Sequence, residues 1–311
     1  MRVVFFGTPA LAVPSLAETA RRHEVAAVVC QPDKPAGRGR RSVSPPVKQW
    51  AEEHGLPVHQ PAKLNDGRFE AWLREQAPDI CAIAAYGRLL KQPILDVPPH
   101  GFINVHPSLL PRHRGPSPIQ TALLEGDEVT GVTIMRLILA MDAGDIILQE
   151  ETPVDPHDMA GTLSERLASL GGRLLGEALD QIEAGAATFT PQDDSKATYT
   201  TMFTKDAGRI RWAQGARAIH NQVRACHPWP VAFCRLDGET CRIHRTEPRE
   251  ASAGDLPPGT VTAVEKHAIL VAAGEGALAI RQLQLPGKKA LHAGDFLRGR
   301  PMKPGDRFED G

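Results

Sequence analysis

The sequence predicts an α/β fold in two parts: a Rossmann-like, doubly wound and mostly parallel sheet, followed by a small β-barrel. Short apolar runs alternate with amphipathic helical patterns over the first two thirds of the chain, which is typical of a doubly wound sheet. From about Lys205 the pattern changes to five short strands separated by turns, which favours a small barrel. The 311 residues are enough for two domains.

The first strand, Val3–Phe6, is followed by the loop Gly7-Thr8-Pro9 and by a helix from about Pro14 to Arg22. This loop lacks the G-x-G-x-x-G pattern, and its proline has no amide for a pyrophosphate, which argues against a dinucleotide site. Further strands are predicted over Val25–Val29, Ile80–Ala85, Phe102–Val105, Val132–Met135 and Ile146–Leu148, and helices over Pro116–Leu124, Met159–Ala184 and Ala216–Ala225. The Thr-rich segment Thr188–Thr204 is predicted to be a linker, so we expect domains at 1–187 and 205–311 joined by 188–204.

Composition narrows the class of protein. Hydrophobic residues make up 41% and charged residues 23%, which is ordinary for a globular protein, and no run reaches the roughly 18 apolar residues of a membrane span. Five cysteines, odd in number and without C-x-x-C spacing, indicate reduced thiols rather than disulfides or zinc. We therefore expect a cytoplasmic monomer with no metal and no membrane association.

The net charge of −1 hides an asymmetry. Residues 205–311 carry 17 basic against 12 acidic side chains, whereas residues 1–204 carry 19 against 25. A basic C-terminal third favours an anionic macromolecular partner, with RNA the first candidate, although an excess this small is more often only a solvated surface.

The stretch from Gly101 to Gly115 is the strongest candidate for an active site. Asn104 and His106 interrupt a short apolar strand two residues apart, so both side chains point to one face. Pro107 ends the strand directly after them. Open α/β sheets bind ligands at the carboxyl ends of their strands, so an amide donor and an imidazole are expected to lie together there.

Two further segments carry chemistry-bearing residues. Gln31–Lys48, rich in arginine, glycine and proline, is predicted to form no packed element; it is either a phosphate-binding loop or an exposed insertion. Asp142 and Asp145 lie in a glycine-containing turn, where an aspartate is usually a cap. The alternative is that one of them orients His106 and raises the pKa of a protonated partner.

The combination of these motifs resembles the folate-dependent formyltransferases. The resemblance rests on Asn104-Val105-His106-Pro107-Ser108-Leu109-Leu110-Pro111-Arg112 with Asp142-Ala143-Gly144-Asp145, and it extends to Phe6-Gly7-Thr8-Pro9, Gln31–Gly39, Ala85-Tyr86-Gly87, Gly131–Met135 and His227-Pro228-Trp229-Pro230. The arginine-rich loop and the C-terminal part are similar to the branch of the family that acts on initiator tRNA.

The resemblance implies transfer of a formyl group from 10-formyltetrahydrofolate to the amino group of methionine on initiator Met-tRNA, for translation initiation. It implies that Asn104 and His106 stabilise the oxyanion and that Asp142 holds His106 protonated and helps to move the proton. It also implies an OB-like barrel, a folate site at Arg88, Leu89, Leu90, Ser108, Leu109, Leu110 and Pro111, and tRNA contacts from Arg38, Arg40, Arg41 and Lys205. Lys288 and Lys289, in a turn after Gly287, are a further pair of predicted tRNA contacts, with a merely solvated turn as the alternative. Trp229 and Tyr199 are expected to be packing aromatics rather than RNA contacts.

The sequence departs from the family pattern at Ala10-Leu11 and at Leu137–Ala140, which lacks an earlier acid and puts the rim of the folate site in question. Two alternatives from other classes stay open at this stage. One is a formyltransferase acting on a small amine, such as glycinamide ribotide or an amino sugar, or a formyl-folate hydrolase. The other is a non-catalytic RNA-binding module, against which the complete set of Asn104, His106 and Asp142 argues.

Overall fold

A computed structural model describes residues 1–36, 41–249 and 256–311. The chain divides into two compact units. The first consists of Met1–Pro118, Val129–Pro153 and Ser164–Thr200, and the second of Ile119–Glu128, Val154–Leu163 and Thr201–Gly311.

The first unit is built on a seven-stranded sheet. The first nine strands of the chain are β1 (Arg2–Gly7), β2 (Glu24–Val29), β3 (Lys34–Ala36), β4 (Arg41–Val43), β5 (Val58–His59), β6 (Ile80–Ala84), β7 (Phe102–His106), β8 (Val129–Arg136) and β9 (Ile146–Pro153). Seven of them form one sheet in the order β5-β2-β1-β6-β7-β8-β9, and β3 pairs with β4. The strands from β5 to β7 in this order pair in parallel, whereas β8 and β9 are antiparallel. The predicted mostly parallel sheet is confirmed.

Helices cover both faces of this sheet, as its continuous apolar strands require. The helices of the chain are α1 (Val13–Arg22), α2 (Pro46–Glu53), α3 (Arg68–Glu75), α4 (Gln92–Leu95), α5 (Pro118–Glu125), α6 (Ala160–Glu183), α7 (Ala216–Ala225) and α8 (Ala293–Gly299). On one face Phe6, Tyr86 and Phe102 pack ring against ring, with centroids 5.4–5.5 Å apart. On the other face Gly171 of α6 lies against β7, where a Cβ atom would come within 2.7 Å of Val105.

The second unit contains a curled antiparallel sheet. Its strands are β10 (Ala232–Leu236), β11 (Glu239–Arg249), β12 (Val261–Glu265), β13 (Ala268–Ala272), β14 (Ala277–Gln284), β15 (Leu291–His292) and β16 (Phe308–Glu309). They pair in the order β12-β13-β14-β11-β10-β16, with β15 beside β14. The two ends of this order meet, because Thr260 bridges Arg307 and the Phe308 amide donates to the Gly259 carbonyl over 2.8 Å. Trp212, Ile219 and Phe308 fill the core, and the predicted barrel-like second domain is confirmed.

The structure corrects the prediction for Gln31–Lys48. Strands β3 and β4 pair there, and α2 begins at Pro46. Asp33 accepts hydrogen bonds from Gln60 (2.7 Å) and Lys48 (2.9 Å), and these two bonds lower the pKa of its carboxyl group. The segment therefore has an ordered base, while residues 37–40 lie outside the described residues.

Two aromatic predictions were wrong. Trp229 is 53% exposed and Tyr199 is 65% exposed, so neither is a packing anchor. The buried tryptophan of the second unit is Trp212, which the sequence analysis did not single out. All five cysteines are buried and free, as predicted. Within the described ranges, no helix has the length and apolarity needed to cross a membrane.

Candidate active site

The carboxyl end of β7 presents the two polar side chains that the sequence predicted. Asn104 is half-buried, and His106 is 4% exposed. Phe102, Asn104 and His106 alternate with Ile103 and Val105, and Val105 faces α6. The amide and the imidazole therefore lie on the face that also carries the aromatic cluster.

The imidazole of His106 is held between a carbonyl and a carboxylate. Its Nε2 atom lies 3.0 Å from the carbonyl oxygen of His113, and its Nδ1 atom lies 3.7 Å from Oδ2 of Asp142. A carbonyl oxygen can only accept a hydrogen bond, so this network assigns the proton of the neutral ring to Nε2. Nδ1 is then the atom that can take up a further proton.

Burial lowers the pKa of His106. The charge of Asp142 and the hydrogen bond to the His113 carbonyl raise this pKa, but they do not outweigh the loss of water around the ring. The lowered pKa favours a neutral ring, whereas the sequence analysis expected Asp142 to keep His106 protonated. The ring is neutral at neutral pH and can act as a base.

The turn between β8 and β9 brings Asp142, and not Asp145, to the histidine. Oδ2 of Asp142 also accepts a 2.8 Å hydrogen bond from the amide of Gly115. Asp142 has a positive φ of 48°, a conformation that costs a non-glycine residue roughly 1–3 kcal/mol and recurs at functional sites. Asp145 uses its carbonyl oxygen to accept the amide of Arg136 at 2.9 Å. The structure thus brings together Asn104, His106 and Asp142.

The loop that follows β7 is held in place by Ser108 and by Thr133 of β8. Ser108 is completely buried, and its hydroxyl donates to the carbonyl of Arg112 over 2.7 Å. Thr133 donates to the Ser108 carbonyl (2.7 Å) and accepts from the Leu110 amide (3.2 Å). The Ser108 hydroxyl and the Leu110 amide therefore support the loop, and both residues are buried. Leu109 and Pro111, which are half-buried, are the members of this predicted folate group that keep exposed surface.

The other predicted folate residues have divided roles. Arg88 donates to the carbonyls of Pro61 (2.7 Å) and Ala62 (3.1 Å), so its guanidinium group anchors the loop after β6. Leu90 is buried in the cluster around Phe102, whereas Leu89 is 90% exposed. Leu89 is thus the apolar side chain that this loop offers to a ligand.

A cavity of about 410 Å³ lies at the amino end of β7, where Gly101 precedes the strand. Its lining includes Gln92, Leu95, Phe102, Arg136, Leu137 and Ile138. Phe102 lies two residues before Asn104, which corresponds to roughly 7 Å along the strand. Of this lining, the sequence analysis connected only Leu137 and Ile138 with the folate site, because the other residues come from separate segments of the chain.

A larger cavity, of about 510 Å³, lies at the amino ends of β1 and β2. It is lined by charged side chains such as Arg2, Glu24 and Asp79. Parallel sheets bind their ligands at the opposite, carboxyl ends, and Asn104 and His106 do not line this cavity. We therefore do not assign the reaction to it.

The residues predicted to bind tRNA are dispersed. Arg38 and Arg40 lie outside the described residues, and Arg41 begins β4. Lys205 begins a 3₁₀ turn at Lys205–Gly208, and Lys288 and Lys289 follow Gly287, which has a φ of +69°. All three lysines are exposed, so each is free to meet a phosphate.

The sequence analysis missed the part played by the segment before Thr200, which it took for a linker. Gln192 donates to the carbonyls of Asp142 (2.9 Å) and Gly144 (2.7 Å). Thr198 accepts the amide of His113 at 2.8 Å. No local pattern signals these contacts, because the partners lie about 50 and 85 residues apart in the chain.

Comparison with known proteins decides the family. Residues 1–179 match the formyl transferase family, and residues 202–301 match the formyl transferase C-terminal domain. The chain belongs to the formyl transferase family. It is 45% identical over 306 residues to the methionyl-tRNA formyltransferase of Pelotomaculum thermopropionicum. The aligned region covers 98% of this chain and 97% of that protein. It is also 45% identical over 310 residues to the methionyl-tRNA formyltransferase of Methylobacillus flagellatus, with 99% of each chain covered.

A solved structure has the same fold at lower identity. HypX from Aquifex aeolicus in complex with tetrahydrofolic acid superposes with a TM-score of 0.65 at 21% identity. The match covers 99% of this formyl transferase and 50% of HypX, so this chain spans half the length of that protein. The predicted formyltransferase class and fold are confirmed by these comparisons together.

Proposed function

We propose that this formyl transferase transfers the formyl group of 10-formyltetrahydrofolate to the amino group of methionine on initiator Met-tRNA. The observation that carries the proposal is the 45% identity, over nearly the whole of both chains, to proteins named methionyl-tRNA formyltransferase. The proximity of Asn104, His106 and Asp142 supports it, because acyl transfer needs a hydrogen-bond donor for the oxyanion and a proton carrier.

Asn104 is the proposed oxyanion donor. When the methionine nitrogen attacks the formyl carbon, the formyl oxygen gains negative charge, and the Asn104 amide can donate to it. The benefit comes from a donor that is already in place, because strand β7 fixes the backbone of Asn104. Loss of one such donor typically slows turnover by about 100- to 1000-fold.

His106 and Asp142 are the proposed proton path. The attacking amine must lose a proton as the new C–N bond forms, and the neutral Nδ1 of His106 can accept it. The imidazolium ion is then stabilised by the Asp142 carboxylate 3.7 Å away and by the His113 carbonyl. As the bond between the formyl carbon and folate N10 breaks, the same proton passes to N10, directly or through water, so that His106 returns to its neutral form.

The folate ring is proposed to bind along the face of β7. The loops at the carboxyl ends of β6 and β7 offer the apolar side chains of Leu89, Leu109 and Pro111, next to the polar end of β7, and ring-binding sites usually combine such groups. The tetrahydrofolic acid bound by HypX, which has the same fold, supports a folate-derived donor for this chain as well.

The proposed tRNA contacts remain those predicted from the sequence: Arg38, Arg40, Arg41, Lys205, Lys288 and Lys289. Lysine and arginine bind phosphates without reading sequence, so they would supply affinity that falls with salt. We also keep as proposals the domain boundaries 1–187, 188–204 and 205–311, a monomeric state, a cytoplasmic location and chemistry without a metal.

A direct assay tests the proposal. The purified chain is given 10-formyltetrahydrofolate with initiator Met-tRNA, glycinamide ribotide or an amino sugar, and formylated product and released tetrahydrofolate are both measured. We expect transfer to the tRNA. Transfer to a small amine only would favour the rival formyltransferase reading, and release of formate without product would favour a hydrolase.

A further inference from the structure

Two loops of the candidate active site are held together by one pair of side chains, Arg114 and Gln192. The amide nitrogen of Gln192 donates to the carbonyls of Asp142 and Gly144, at 2.9 and 2.7 Å. Its amide oxygen accepts from Nε and Nη2 of Arg114, at 3.0 and 2.8 Å. Both polar atoms of the Gln192 side chain are thus hydrogen-bonded to these two loops.

Arg114 lies in the loop whose carbonyl at His113 holds the imidazole of His106. Arg114 is 2% exposed, and it follows His113, whose carbonyl oxygen accepts a hydrogen bond from Nε2 of His106. The backbone of Arg114 pairs with the segment that ends at Thr200. Its amide donates a hydrogen bond to the Thr198 carbonyl (2.9 Å), and its carbonyl accepts one from the Thr200 amide (2.8 Å). Asp194 adds an ion pair of 2.7 Å to the guanidinium group.

The two residues held by this arrangement have strained backbones. His113 has a φ of 62° and Asp142 a φ of 48°, and neither is a glycine. Such conformations persist where neighbouring groups fix them, and here the fixing groups are side chains of one segment: Thr198 for His113 and Gln192 for Asp142. The separation between His106 and Asp142 depends on both loops keeping these positions.

We propose that Gln192 and Arg114 are positioning residues that set the distance between the Asp142 carboxylate and the His106 imidazole. Gln192 bonds to backbone carbonyls of the Asp142 turn, and Arg114 bonds to Gln192 and Asp194, so the pair acts through the two loops. The inference rests on the proposed role of Asp142 in turnover. The segment between α6 and Thr200 is then part of the catalytic unit and not a passive linker.

A double-mutant cycle tests the inference. Gln192→Met keeps the length of the side chain but removes the bonds to Asp142, Gly144 and Arg114. We expect kcat for Met-tRNA to fall about 10- to 100-fold, the loss typical of a catalytic group misplaced by up to 1 Å, with KM for both substrates within about twofold. In the Asp142→Asn background the same change should cost less than about twofold, because the two residues act through one interaction.

Matched variants separate this effect from loss of folding. Gln222→Met in the second unit removes a similar side chain, half-buried, that donates to the Ala207 and Arg209 carbonyls at 2.7 and 2.9 Å. It should leave kcat unchanged. Gln192→Glu keeps the acceptor for Arg114 but has no N–H for the two carbonyls, and it decides the question if the methionine variant unfolds.

Three outcomes are distinguishable. A tenfold or greater loss in Gln192→Met or Gln192→Glu that disappears in the Asp142→Asn background supports the inference. Equal losses in both backgrounds, or normal kcat in both Gln192 variants, would overturn it. Normal turnover of Asp142→Asn alone would instead overturn the proposed catalytic role of Asp142.

Discussion

Gly115 is the position at which a single added methyl group should uncouple the active-site loops. Its φ of +114° disfavours any other residue, and a Cβ atom there would lie 2.8 Å from Oγ1 and 2.9 Å from the carbonyl oxygen of Thr200. Ordinary contact begins near 3.4 Å, so the backbone must move by about 0.5 Å. The Gly115 amide, which donates to Asp142 over 2.8 Å, moves with it.

The magnitude follows from that hydrogen bond. Hydrogen bonds to charged groups are worth about 1.5–3 kcal/mol, and each 1.36 kcal/mol corresponds to a factor of ten in rate. We therefore expect Gly115→Ala to lower kcat by about 10- to 100-fold. The backbone strain should lower the free energy of unfolding by roughly 1–3 kcal/mol, which urea denaturation measures.

Gly55→Ala is the matched control for Gly115→Ala. Gly55 also has a positive φ, +69°, but nothing lies within 4 Å of its Cβ position. This variant should lose about 1 kcal/mol of stability and keep its kcat. If Gly115→Ala loses stability but retains kcat within about threefold, the reasoning that links the Gly115 amide to catalysis is refuted.

The remaining predictions concern charge. Asp142→Asn should lower kcat by at least about tenfold with little change in KM, and a variant with normal turnover would remove Asp142 from the mechanism. Burial lowers the pKa of His106, so kcat/KM should decline only below about pH 6.5 as the base is protonated; a decline centred above that pH would contradict a neutral His106. Burial, and after it the charge of Arg224, lowers the pKa of His220 to about 4. The folded protein therefore keeps a neutral His220 that the unfolded chain would protonate. Its contribution to the free energy of unfolding is complete above about pH 6.5 and is lost as the pH falls toward 4. When the pH is lowered from 6.5 to 4, the free energy of unfolding of His220→Gln, measured with urea, should fall by about 2–3 kcal/mol less than that of the parent. An equal fall in both proteins would argue against this assignment. Arg38→Ala should raise KM for tRNA and leave folate binding unchanged, and an equal loss in both would count against its proposed role.

The site could be predicted from the sequence wherever local chemistry determined it. The alternation of Asn104 and His106 on a short strand ended by Pro107 located one edge of the sheet, and β7 has that placement. The turn at Asp142 was identified as a candidate partner, but local sequence could not decide between Asp142 and Asp145. That choice depends on how the β8–β9 turn folds back toward His106.

What the sequence could not show depends on long-range contacts. Gln192 and Thr198 lie in a polar stretch with no periodic pattern, and their roles appear only when the chain returns to the loops after β7 and β8. The burial of His106, which lowers its pKa, also depends on long-range contacts. The sequence revealed its charged partner but not the burial that outweighs it. Trp229 was misjudged because flanking prolines say little about exposure, which reaches 53%.

The central claim is that this formyl transferase uses Asn104, His106 and Asp142 to formylate the methionine of initiator Met-tRNA. The most direct measurement is single-turnover formylation of initiator Met-tRNA, with 10-formyltetrahydrofolate, by the parent chain and by Asn104→Ala, at saturating concentrations of both substrates. The account predicts rapid transfer by the parent and a rate about 100- to 1000-fold lower in the variant. Equal rates would contradict the proposed site, and absence of transfer by the parent, with formylation of a small amine instead, would contradict the proposed substrate.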